Sequence, residues 1–243
     1  RMLETRKWHI QRLFFLLAAR DHFIEELKDE GFTVTFIRSA DTASGIAEFR
    51  KKNPELDIEV AEPSSHKQYE ELKKLFIKRR SVRWYQDKEV PSELIEKAVN
   101  LATLAPSACN RQPYSFYVSQ TKEKAVQIAK CAGGTPGWAD NIPCTIVIVG
   151  DLSAYLGERD RHLIYIDGSL AAMQLMLAFE TLGLSTCSIN WPDVEADEQK
   201  LEKLLALKSY ERPIMLLSVG YAQDKGGIPF SQKKSQQVLI RKV

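Results

Sequence analysis

Histidine and cysteine are scarce, four of each in 243 residues. The cysteines, Cys109, Cys131, Cys144 and Cys187, form no Cys-x-x-Cys pair, and no histidine stands at zinc-finger spacing from them. A finger or ribbon metal site and a disulfide framework are thereby excluded, and reduced thiols in a cytoplasmic protein are the expectation. An excess of one charge sign is also missing: 34 Lys and Arg against 32 Asp and Glu leave +2. That is too little for a chain-wide pull toward nucleic acid or an acidic membrane, so neither is expected as a partner. The apolar run Leu13-Phe14-Phe15-Leu16-Leu17-Ala18-Ala19 is followed by Arg20-Asp21-His22, which is no signal-peptide cleavage site. It also falls far short of the roughly 20 residues of a membrane span, and it reads as a buried strand. The chain opens on Arg1 rather than Met, so the natural start is expected to lie upstream.

What is present is a soluble globular composition, 44% hydrophobic with 27% charged. A chain of this length hides roughly 70% of its extended surface on folding, so a core forms without metal or disulfides. Ten basic and 12 acidic residues precede the cut after His66, leaving 24 and 20 behind it. An anionic ligand therefore belongs with the later part.

Residues 10–62 spell strand-helix-strand-helix-strand, a small α/β unit closed by Gly31 after its first helix and by the turn-forming Glu62-Pro63-Ser64-Ser65-His66. The domain boundary is placed there, giving units 1–66 and 67–243. No Gly-x-Gly-x-x-Gly follows the first strand, which argues against a Rossmann nucleotide site. From Lys67 the pattern changes. Tyr69, Leu72, Leu75 and Phe76 make a helical stripe, and a second helix opens at Pro91-Ser92 with Leu94, Ile95, Ala98 and Val99 inward. Strands are expected at 114–118, 144–149, 186–189 and 214–219, and helices at 123–131 and 197–205. Residues 170–182 are apolar on most sides, which predicts a fully buried helix in a core or at a subunit interface.

Two constellations carry chemistry. Arg79-Arg80-Ser81-Val82-Arg83 sets three guanidiniums and a hydroxyl within five residues at a helix end. Such a set suits a phosphate, and equally a solvated basic helix C-terminus. Ala105-Pro106-Ser107-Ala108-Cys109-Asn110-Arg111-Gln112-Pro113-Tyr114 follows the second helix. Its prolines fix backbone direction while Ser107, Asn110 and Gln112 offer donors and acceptors to a heteroaromatic edge, or cap a loop entering a strand. Cys109 has no histidine near it in sequence, which argues against a thiol nucleophile. Trp138 either borders a pocket or fills the core.

The ordered pair, Arg-Arg-Ser-Val-Arg and then Pro-Ser-x-x-Asn-x-Gln-Pro-aromatic, resembles the nitroreductase family of FMN-dependent oxidoreductases over residues 67–243. The apolar helix from about Asp167, the Gly183-Leu184-Ser185-Thr186 turn and the Leu216-Leu217-Ser218-Val219-Gly220-Tyr221 strand with Lys233-Lys234 behind it match as well. The opening, from His9-Ile10-Gln11-Arg12 through Arg20-Asp21-His22-Phe23, faintly resembles the N-terminal α/β lobe of photolyase-related proteins. That family's helical flavin lobe has no counterpart here, so the unit is read as a remnant, docking piece or fusion partner.

The resemblance implies an α+β fold, a central and mostly antiparallel sheet flanked by helices and preceded by the small α/β unit. It implies that Arg79, Arg80 and Ser81 hold the FMN phosphate and ribityl chain, and that Arg83 lies at the flavin N1/C2 edge. Pro106, Ser107 and Asn110 would reach the flavin of the opposite subunit of a homodimer, with Gln112 supporting the loop. Ser188, Ile189 and Asn190 would line the ring through backbone amides, and Lys233 would return to the phosphate. NADH or NADPH would reduce the flavin, and a nitroaromatic or quinone acceptor would reoxidise it by a ping-pong mechanism. Two alternatives stand beside this: a flavin-dependent reductive dehalogenase, for which residues 119–141 leave little material for a lid, and a non-catalytic flavin-binding or interaction module.

Overall fold

The computed structural model describes Lys51 and residues 66–119, 121–224 and 227–243. The reading of residues 10–62, and of the linker that follows them, lies outside the described residues. The unit Ser64–Val243 contains α1 (His66–Lys78), α2 (Ser92–Ala102), β1 (Tyr114–Val118), α3 (Lys122–Ala129), β2 (Cys144–Asp151), α4 (Leu163–Thr181), β3 (Ser185–Asn190), α5 (Glu195–Leu205), β4 (Glu211–Gly220) and the short α6 (Gln236–Leu239).

The sheet runs in the order β1-β2-β4-β3 with every neighbouring pair antiparallel, as the α+β expectation required. Alternation along β2 explains the layers. Val147 and Val149 pack with Ile128 of α3 and Leu201 of α5 on one face, while Ile146 and Ile148 pack with Ala98 of α2 and Leu175 of α4 on the other. A strand apolar on both sides is thus covered on both sides. Local sequence sets the ends: Thr121 Oγ1 accepts from Lys124 N at 3.2 Å to cap α3, and Pro91 precedes α2.

α4 starts seven residues ahead of position 170. Periodicity alone hid this start because Asp167 and Gly168 look like a break in an apolar pattern, whereas the family resemblance put it near Asp167, four residues inside the observed end. Both turn inward: Gly168 lies against Ile214 and Ile148 of the sheet, where a Cβ would collide, and the Asp167 carboxylate anchors a loop described below. The expected full burial of this helix is not met within one chain. Ile166, Leu170 and Met173, at i, i+4 and i+7, stay 49%, 43% and 38% exposed. By length and composition the stretch Glu158–Thr181 could cross a membrane, yet half of it is buried inside the protein.

Candidate functional site

The basic block leaves α1 and joins the sheet. Val82 N donates to Thr186 O at 3.0 Å, and Ser81 forms an isolated parallel bridge with Thr186. The segment is fixed from below by Tyr85, whose buried hydroxyl donates to Val82 O at 2.6 Å and pairs with Ser218 Oγ at 2.7 Å; burial raises its pKa. Ser81, Arg83 and Arg79 all act electrostatically on Cys187 of β3. Burial pushes that thiol up, opposed by the charge of Arg83, a hydrogen bond with Ser81 and the charge of Arg79. Thr186 Oγ1, at the bridge itself, is buried without a hydrogen-bond partner. Arg80 departs from the group: its guanidinium turns back on the carbonyls of Ile77 and Arg79, closing the end of α1.

β3 is an edge strand, and beyond Thr186 its outer side pairs with no strand among the described residues. Because Thr186 O points outward to Val82, the alternation of a strand turns the backbone N–H and C=O of Ser188 and Asn190 to the same open side. Ile189 does the opposite. Its side chain lies in the core and its backbone faces β4, so Ser188 and Asn190 are the exposed members of the trio. Lys233 is exposed and its Nζ donates to Ser231 Oγ at 2.9 Å.

The second constellation is a strained loop. Cys109, Asn110 and Gln112 all have positive φ, 54°, 53° and 48°, a conformation costing roughly 1–2 kcal/mol for a residue with a Cβ. Four contacts hold it: Gln112 N donates to Ser107 Oγ at 3.0 Å, Ala108 N to Asp167 Oδ2 at 3.1 Å, Tyr155 OH to the same carboxylate oxygen at 2.8 Å, and Arg111 to Ala154 O at 2.6 Å. Gln112 Nε2 reaches Asn110 O only at 3.5 Å. Pro106 and Asn110 are left exposed at the surface, and Cys109 is a free, exposed thiol.

The two constellations do not meet within one chain. Ser81 lies on the row Thr186–Val219–Cys144, whereas the loop feeds β1 on the row Tyr114–Gly150–Arg212. Seven residues along β4 and four strand steps across the sheet, counting the Ser81 segment outside β3, separate them, roughly 30 Å at ordinary strand spacings. They occupy opposite corners.

Residues 77–136 and 122–221 match the profile described as nitroreductase family, together well over half of the chain. The chain belongs to the nitroreductase family. Residues 1–96 match the profile of deoxyribodipyrimidine photo-lyase-related protein, in line with the faint resemblance of the opening. The nitroreductase part is similar to an FMN-dependent nitroreductase of Clostridium difficile R20291, with 26% identity, a TM-score of 0.59, and coverage of 69% of this chain and 96% of that one. An FMN reductase of Bacillus subtilis, named for NAD(P)H, is 29% identical over 161 residues, 60% of this chain and 64% of the relative. The chain therefore spans just under two thirds of that relative's length. Iodotyrosine deiodinase 1 of Homo sapiens is 24% identical over 251 aligned positions, covering 91% of this chain and 86% of the relative.

Three site residues escape the motif. Asn141 holds the backbone on both sides of Trp84, its Nδ2 donating to Arg83 O at 2.5 Å and its Oδ1 accepting from Tyr85 N at 3.0 Å. Asp167 and Tyr155 secure the strained loop across distances in sequence that no local pattern spans. A buried aspartate in an apolar helix was the available signal for Asp167; nothing in the sequence marks Asn141. Trp138 is 8% exposed and belongs to the core, with one ring face turned to Arg83. Among the described residues no group of His, Cys, Asp and Glu is arranged to hold a metal ion.

Proposed function

We propose that this nitroreductase-family chain is an FMN-dependent oxidoreductase that takes electrons from NADH or NADPH and passes them to a small electron-poor acceptor of nitroaromatic or quinone type. The reading rests above all on the geometry of two half-sites at opposite corners of one sheet. Neither is complete alone. In a homodimer related by two-fold symmetry, the loop 106–112 of a second copy can face the Arg79–Arg83 edge of the first, and both sites are completed at once. The apolar stripe Ile166, Leu170, Met173 supplies a face for that pairing.

The donor set fits the cofactor. Arg79 and Ser81 would hold the phosphate and ribityl chain, with Thr186 Oγ1 a further buried polar atom in want of a partner. Arg80, turned onto α1, would contribute only by leaving its carbonyl contacts, and Lys233 would join from the tail. Ser188 and Asn190 offer edge backbone groups to the ring, and Pro106, Ser107 and Asn110 of the second copy would cover it. Bound FMN supplies the two-electron chemistry. Arg83 supplies a fixed positive charge beside the position where negative charge gathers on reduction, which raises the two-electron potential. No side-chain acid, base or thiol is required, so donor and acceptor can use the same opening in turn, a ping-pong order. Four free cysteines fit a reducing compartment, the cytoplasm.

A second reading, reductive dehalogenation of a halogenated phenol, is favoured by the deiodinase match along 91% of the chain. Against it, the material between β1 and β2 is spent on α3, whose Ala125, Ile128 and Ala129 are buried in the core rather than free to close over a substrate.

The deciding experiment is an absorption spectrum of the protein as isolated, then anaerobic addition of each nicotinamide nucleotide and turnover with menadione or an iodinated phenol. Bleaching of a yellow protein and steady menadione reduction are expected. Bound FMN that neither nucleotide reduces would instead support a non-catalytic module, and a colourless protein that refuses FMN would overturn the proposal.

A further inference from the structure

We infer that Trp138 and Asn141 are positioning residues that hold the Arg83 cation in register with the flavin site and so set the potential of the bound cofactor. The inference rests on the reading that Arg83 faces the flavin. An exposed arginine ordinarily samples many rotamers, which would blur its field. Here it is held at both ends. The Asn141 side chain accepts from Tyr85 N and donates to Arg83 O, so one amide clamps the segment on either side of Trp84. At the other end, the guanidinium carbon lies 5.9 Å from the centre of the Trp138 ring, within cation–π range.

The ring is itself anchored. It is packed in the core, its Nε1 donates to Gly134 O at 3.2 Å, and its backbone N donates to Thr135 O at 3.2 Å. Trp138 directly precedes the 3-10 turn Ala139–Asn141, so both grips on Arg83 come from one short piece of chain. The choice of partner matters. Among the described residues no carboxylate pairs with Arg83, and an aromatic face orients a cation without cancelling its charge. A carboxylate would orient it equally well and erase the positive field that favours the reduced cofactor.

The test is the midpoint potential of bound FMN, measured by dye equilibration, in Trp138→Met, Trp138→Phe, Asn141→Ala and Arg83→Ala, and in Trp138→Met combined with Arg83→Ala. Trp138→Met is expected to reduce the two-electron equilibrium constant about fivefold, about 20 mV. Trp138→Phe, which keeps a ring face, should restore most of it. In the Arg83→Ala background, Trp138→Met should add nothing. An equal shift in both backgrounds would mean that the tryptophan acts on the flavin directly, and would overturn the inference while leaving Arg83 in place. A shift with Arg83→Ala but none with Trp138→Met or Asn141→Ala would do the same. If Arg83→Ala itself moves nothing, the assignment of Arg83 and this inference fall together. Because a core substitution at Trp138 can fail to fold, Asn141→Ala, at a half-buried position, carries the same expectation independently. In the apoprotein, the Arg83 side-chain N–H resonance should be resolved in the parent and averaged in Trp138→Met; a resonance unchanged by that substitution would also overturn the inference.

Discussion

Asp167 is a 3% exposed carboxylate in the most apolar helix of the chain, and its worth lies in what it holds. Ala108 N and Tyr155 OH both end on its Oδ2, and Arg111 lies 5.6 Å from the Tyr155 ring centre. Burial first, then the hydrogen bond to Asp167, raises the Tyr155 pKa, so the phenol stays protonated and keeps donating. Asp167→Ala leaves two half-buried donors unmatched, at no more than about 1–3 kcal/mol each, and frees a loop whose positive-φ residues prefer to relax. The expected outcome is a lower melting temperature together with lost FMN; a variant that keeps a full complement of FMN would separate the loop from cofactor binding. The cysteines make a second residue-scale case. Cys109 is exposed, whereas Cys187 is buried and Cys144 is pushed up to about 11 by burial. Thiol titration of a monomeric form at pH 8 should find Cys109 fast, Cys131 slower, and Cys144 and Cys187 unreactive until denaturant is added.

At the scale of elements, periodicity located the four strands and the helices α1, α2, α3 and α5 within a few residues, because each alternates or winds against a layer of the core; the short, exposed α6 left no such pattern. It failed where an element's face is polar for a tertiary reason. Periodicity missed the start of α4 because Asp167 serves a loop and Gly168 admits the sheet. The same helix carries the stripe Ile166, Leu170 and Met173, which water touches in a single chain. Leu170→Glu would place one negative charge per copy, and so two per symmetric interface, in an apolar seam. Sedimentation should show monomers for this variant where the parent gives dimers, with FMN lost alongside because each site draws on both copies. A dimer that persists unchanged would remove α4 from the interface. The basic block followed a different logic: its motif was legible as a string, but the turning of Arg80 back onto α1 depends on which carbonyls the helix end leaves open.

For the whole molecule, two expectations follow. Cys144 rises from 9.0 to about 11 on folding. Since the unfolded thiol ionises first, the folded state binds more protons between those values and stability falls as pH climbs through them, by about 3 kcal/mol. Burial moves Tyr85 and Cys187 the same way. Denaturant midpoints should therefore be level near pH 8 and drop above pH 9, less steeply in Cys144→Ala. The second concerns residues 1–66. Their removal should leave a folded dimer that retains FMN; collapse of the remainder would show the boundary to be misplaced.

Periodicity was sufficient for the strands and most helices, and two ordered motifs for the family, since those depend on local alternation and on residues close together along the chain; the α+β class and the antiparallel sheet followed from the family resemblance. Only the tertiary structure decided that the two motifs stand at opposite corners of one sheet, that Ser188 and Asn190 rather than Ile189 face outward, and that Trp138 and Asn141 grip Arg83. Such facts depend on strand register and on contacts between residues dozens of positions apart, which a one-dimensional pattern does not encode.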